Sequence, residues 1–300
     1  MRKVSLLTLA SIAVISSAVS AQTAGGMYSS SSINTTPSFN MENPLYKPAE
    51  GMFYSKTNFN YTPVKHYDSS YQLTEEFGYG ISNGWTLAAS LGYGWMEKSA
   101  NPYDKGSKLS NLAIGTAYRP IINEDFIWDI KFGVSIDTAD DMVGQYSLGL
   151  PINDYGKKDT AVYLATQFGI EMSEDFDLAI ELGYSMDTDD KKNLENKELG
   201  DTSYYYANVM SQIEFSDDWS MNLGYKFKKF ADRDGFDKAA QQFVTLSGNW
   251  QATDATLLSL YADYDASAKS DRKDMNGTEL AGDNGNKNRW SMGARMGVQF

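Results

Sequence analysis

The chain has 300 residues, 13% of them aromatic, no cysteine, one histidine and a formal charge of −13 at pH 7. Zero cysteine excludes a disulfide scaffold and any thiolate metal site. The negative charge disfavours a nucleic-acid partner, and no apolar run beyond the first twenty positions is long enough for a membrane helix. What remains is a folded chain rich in Tyr, Trp and Gly and poor in Pro, which is the composition of strands.

Arg2 and Lys3 precede an apolar stretch, Val4 to Val19, and the small residues Ser20 and Ala21. This pattern predicts a signal peptide over 1–21, cut after Ala21, and hence export. Residues 22–49 are rich in Ser, Thr and Asn, with Pro37, Pro44 and Pro48. They fit either a periplasmic tail or a segment that enters the fold. Asn43-Pro44-Leu45-Tyr46-Lys47-Pro48 is expected to be a fixed extended piece, because proline restricts itself and the residue before it.

Residues 50–300 alternate with period two. Trp85, Leu87, Ala89, Leu91, Tyr93 and Trp95 oppose Thr86, Ala88, Ser90, Gly92, Gly94 and Met96. Similar stretches open at Phe126, Phe176 and Trp219, each with one apolar face and one small or polar face. With their partners the predicted strands are 50–61, 67–81, 85–96, 109–119, 126–137, 159–171, 176–187, 203–215, 219–228, 241–250, 256–265 and 289–300. Short links such as Ser82-Asn83-Gly84 and the one from Pro120 to Asp125 alternate with long ones, the longest about twenty residues. The short links share a polar turn followed by an aromatic that opens the next strand, a repeat of roughly one hairpin.

Even strand number, short and long links in alternation, and strands whose tilted length of ~25 Å matches a bilayer core predict a transmembrane up-and-down antiparallel β-barrel of about twelve strands. Short links then face the periplasm and long ones the exterior. Trp85, Phe126, Phe176 and Trp219 are expected in one lipid-facing aromatic girdle, and Trp95, Tyr184 and Tyr225 towards the other. The opposite face carries glycines, which ease curvature. A twelve-stranded wall has a radius of about 12 Å, leaving a lumen about 12–14 Å wide, enough for small solutes or a peptide plug.

The final strand alternates Trp290, Met292, Ala294, Met296 and Val298 and ends in Phe300. This resembles the assembly signal of Gram-negative outer-membrane proteins, and 50–300 resembles the porin-like barrel class. The resemblance implies outer-membrane localisation, insertion by the barrel assembly machinery, and contact with outer-membrane lipids and lipopolysaccharide. Porins of sixteen or more strands fold a long constriction loop inward, and the links here are short for that.

The lumen is where chemistry is expected. At mid-height the inward charges are Glu76, Lys131, Glu181 and Arg295, with Asp129 and Lys226 among the others. Two strands separate successive members, so pairing requires reaching over small neighbours such as Ala165. Inward acids outnumber inward bases, which predicts a passive, weakly cation-selective channel for small polar solutes or ions. A non-conducting structural barrel, closed by side chains and the N-terminal segment, is the alternative. An outer-membrane acyl hydrolase would need His66, but the slot one residue beyond Tyr67 holds Asp68 where those phospholipases carry Ser, so neither a catalytic residue nor an enzyme is predicted. Asp187-Thr188-Asp189-Asp190 and Asp232-Arg233-Asp234-Gly235 lack the spacing of a calcium loop. No metal and no cofactor is expected, and the oligomeric state is left open.

Overall fold

In the computed structural model the described residues are 41–62, 70–96, 106–109, 112–122, 126–136, 160–187, 203–230, 240–266 and 290–300. The predicted signal peptide, His66 and the two acidic loops beyond Asp187 lie outside them. The strands are β1 (Phe53–Thr62), β2 (Ser70–Ser82), β3 (Trp85–Met96), β4 (Gly106–Leu109), β5 (Leu112–Ile122), β6 (Phe126–Ile136), β7 (Ala161–Ser173), β8 (Phe176–Asp187), β9 (Tyr204–Ser216), β10 (Trp219–Phe230), β11 (Gln241–Thr253), β12 (Thr256–Asp265) and β13 (Trp290–Gln299).

Every described pairing is antiparallel, and β1 pairs with both β2 and β13, so the sheet closes on itself. The wall has twelve strand positions, because β4 and β5 lie end to end against β3. Phe53 and Phe300 exchange both backbone hydrogen bonds at the seam, at 2.8 and 2.9 Å. The register accumulates a stagger of about 14 residues around the wall, which for twelve strands gives a tilt near 40° and a backbone radius of about 12 Å.

Four short links are two-residue turns, at Asn83-Gly84, Glu174-Asp175, Asp217-Asp218 and Asp254-Ala255. A register shift sits beside each, as between Gly80 and Ser82 or Glu171 and Ser173. Several boundaries differ from expectation by up to three residues, and one of them involves a proline. β5 runs past Pro120 to Ile122, with its irregularity between Tyr118 and Ile121. A bulge tolerates a residue that cannot donate to the ladder, so the proline deforms the strand without ending it.

Burial is inverted relative to a water-soluble protein. Leu164, Leu182, Leu223 and Leu260 are exposed on the outer face, while Asp129, Gln167 and Glu181 are completely buried within. The glycines of the inner face do more than ease curvature. A Cβ on Gly78 would overlap the Tyr54 ring, one on Gly133 the Tyr163 ring, one on Gly183 the Tyr206 ring and one on Gly293 the Tyr261 side chain. Each tyrosine lies in the notch a neighbouring strand leaves open.

Candidate functional site

The lumen is occupied on its short-turn side by residues 41–48, all buried. They are not extended. Tyr46 N donates to Asn43 O (3.0 Å) and Leu45 N to Asn43 Oδ1 (2.7 Å). Asn followed by Pro suits a turn, since the Asn side chain caps the backbone and the proline ring presets the next φ. The prolines do fix the segment, but as a bend.

Most of the wall holds this bend. Asn43 Nδ2 donates to Asp177 on β8 at 2.5 Å, Gln167 Nε2 on β7 donates to the Pro44 carbonyl at 2.8 Å, and Arg119 Nη2 on β5 donates to the Leu45 carbonyl at 3.2 Å. Asn222 on β10 donates to the Glu42 carbonyl, and Tyr46 Oη to Gln299 on β13 at 3.1 Å. The Glu42 carboxylate lies between Lys56 on β1 (2.7 Å) and Arg295 on β13 (2.5 Å). Apolar contacts complete the fit: Met41 and Tyr46 join Tyr54, Ala117 and Leu257, and Leu45 joins Ile127 and Ala179. Gly169, Gly297 and Gly80 leave room for Leu45, Met41 and the Pro48–Ala49 backbone.

Burial raises the Glu42 carboxyl, but the charges of Arg295 and Lys56 outweigh it and hold the group below its ordinary value. Lys47 is also buried, and its Nζ has no hydrogen-bond acceptor among the described residues. Burial and the charge of Arg119 pull its ammonium down to about 8, against the opposing pull of Asp129.

The inward charges expected from parity face the lumen, and the structure shows their partners. Lys131 reaches across Ala165 on β7 to Glu181 and donates to Gln167 Oε1 at 2.8 Å. Asp129 receives two bonds from Arg119, at 2.8 and 3.0 Å. Glu76 accepts from Tyr54 Oη at 2.7 Å. Arg295 lies over the Tyr261 ring at 4.0 Å, and Lys226 is 5.7 Å from the centre of the Tyr206 ring. Sequence reasoning did not single out Glu42, Lys56, Gln167 or Asn222. Period-two alternation says which way a strand residue points, but not which residue of a non-strand segment meets it.

On the outer face Trp85, Trp219 and Tyr225 are 48, 55 and 41% exposed, while Trp95, Phe126, Phe176 and Tyr184 are half-buried against neighbours. Trp219 stacks on Trp250, Tyr71 on Trp95 and Phe53 on Phe300, and Phe126 packs on Phe168 and Tyr184 on Tyr205. Glu75 also faces outward. It is buried between neighbouring strands and accepts from both Ser55 and Thr57.

No protein-family model and no curated protein matches the chain. Among solved structures it is similar to an outer membrane channel from Pseudomonas putida F1, with a TM-score of 0.60, 11% identity, and 84% of this chain and 96% of that one covered. It is also similar to the NanC porin, with a TM-score of 0.53, 12% identity, and 82 and 98% covered. At these identities the likeness is one of fold: a closed antiparallel barrel of the outer-membrane type.

Proposed function

We propose that the protein is a passive outer-membrane channel for small polar solutes or ions, weakly cation-selective, with residues 41–48 narrowing its lumen. The observation that carries this reading is the two-faced wall. Its outer surface is apolar, and its inner surface is lined with paired charges and polar groups, some of which, such as Ser90 Oγ and Ser259 Oγ, have no hydrogen-bond partner among the described residues. Groups of that kind suit water, and a closed cylinder exposes no strand edge to lipid. The likeness to outer membrane channels supports the same reading.

On this reading residues 1–21 direct export and 22–40 lead into the lumen segment. The last strand with Phe300 is recognised by the assembly machinery, and lipids with lipopolysaccharide cover the aromatic rows. Glu76, Lys131, Glu181, Arg295, Asp129 and Lys226 line the permeation path. The test is single-channel recording of the refolded chain in planar bilayers. Deleting 22–48 is expected to raise conductance several-fold, because the segment fills much of a lumen about 12–14 Å wide. Unchanged conductance in a folded deletion chain would remove the segment from the path. Glu181→Lys is expected to shift the reversal potential in a salt gradient towards anions, and more so at low salt, where screening is weaker. Wild-type selectivity in that variant would displace Glu181 from the path.

A second reading, a non-conducting structural barrel, is favoured by one observation: Lys131, Glu181, Arg119 and Asp129 are paired and buried, which is how a filled interior looks. It predicts that the full chain carries no current.

A further inference from the structure

Of the contacts that hold residues 41–48, most engage backbone carbonyls or an amide. Glu42 is different. Its carboxylate is clamped by two cations, with Lys56 on one oxygen and Arg295 on the other, and the two cations stand on adjacent strands. Arg295 is steadied by the Tyr261 ring beneath it, on β12. Glu76, opposite Lys56 in the register, is engaged by Tyr54. Two cations aimed at separate oxygens of one carboxylate make a binding site in the ordinary chemical sense, since charge-assisted bonds of this kind are the strong ones. Its present occupant happens to be part of the same chain.

We infer that Lys56 and Arg295 form a carboxylate-binding site in the lumen, with Glu42 as its tethered ligand, and that carboxylate-bearing solutes compete with Glu42 for it. The inference rests on the channel reading for how a solute arrives there, but not for whether it binds. When a solute displaces Glu42 the segment loses its ionic anchor to the β1 and β13 cations, so binding loosens what narrows the lumen. It also exchanges a fixed negative charge for one that can leave.

The test detaches the ligand. Glu42→Ala in the full chain removes the carboxylate and leaves the other anchors of the segment in place. Propionate carries the same carboxylate on the same two-carbon arm. Calorimetric titration of the refolded variant is expected to show propionate binding at least tenfold more tightly than to the wild type, with propionamide, the neutral isostere, giving no such gain. Adding Lys56→Gln to Glu42→Ala should abolish the tenfold difference. If Glu42→Ala does not refold, Glu42→Gln carries the same comparison with less loss of volume. Propionate and propionamide acting alike, or the double variant binding propionate as the single one does, overturns the site. Calorimetry needs no current, so the two ideas fail separately: a variant that binds propionate in a barrel that never conducts keeps the site and ends the channel reading. A conducting barrel indifferent to propionate does the reverse.

Discussion

Glu75 and Glu76 are consecutive, and the strand sends them to opposite sides of the wall. Glu76 enters the lumen, where Tyr54 meets it. Glu75 stands on the outer face between Leu73 and Phe77, in register with Leu91, and is only 1% exposed. A carboxylate on a lipid-facing surface has no water to satisfy it, so its donors must come from the wall itself. Ser55 and Thr57, one strand away, supply them. The expected outcome is that Ser55→Ala with Thr57→Ala destabilises the folded barrel by about 2–4 kcal/mol, the cost of stranding a buried charged acceptor. Adding Glu75→Leu should recover most of that loss. Urea unfolding in lipid vesicles, followed by tryptophan fluorescence, measures both, and a neutral double variant would mean Glu75 is satisfied by something else. Parity in the sequence orients both glutamates. It does not disclose the partners of Glu75, because these lie some twenty residues away and become neighbours only once the β1–β2 register is known.

The unit that repeats at the level of strands is a tyrosine seated on a glycine of the neighbouring strand. The sequence reads the glycine as a curvature device, and its pairing with an inward tyrosine follows from register alone. Gly133 and Gly224 separate the two roles. A methyl at Gly133 would overlap the Tyr163 ring, whereas one at Gly224 would meet Thr245 at an ordinary 3.5 Å. Gly133→Ala is therefore expected to cost about 1–3 kcal/mol by overpacking, and Gly224→Ala to be close to neutral. Equal effects in the same unfolding assay would return both glycines to the role of easing curvature. Strand positions were legible in the alternation because each strand has one face turned to apolar surroundings and the other to a polar interior. Pro120 misled the reading because a proline forbids one ladder bond without forbidding the strand.

For the molecule as a whole, the docking of residues 41–48 carries a pH dependence. The docked Glu42 carboxyl titrates below its ordinary value of 4.5, so the ionic part of docking is complete above that value and is lost as pH falls through the lower, docked one. Lys56, Arg295 and Glu76 are the charged groups facing it. Conductance of the full chain is expected to rise as pH falls through the lowered value of the docked Glu42 carboxyl, below its ordinary 4.5, and Glu42→Gln should flatten that rise. A rise that survives in Glu42→Gln would assign it to another group. The barrel itself could be read from composition, alternation and link lengths, and the segment was marked by Pro44 and Pro48. How the segment meets the wall could not be read, since its contacts spread over nine strands and follow no period. The closure of the sheet gives those contacts a mechanical meaning. Apart from the seam, each pairing joins strands that follow one another in the chain, whereas β1 and β13 bring its two ends together. Among the pairings of the wall this joint closes the longest loop, which for an unstructured chain costs about 5 kcal/mol beyond the constant term. Glu42 reaches Lys56 on one lip of the joint and Arg295 on the other, and so acts as a stitch across the line where the two ends of the sheet meet.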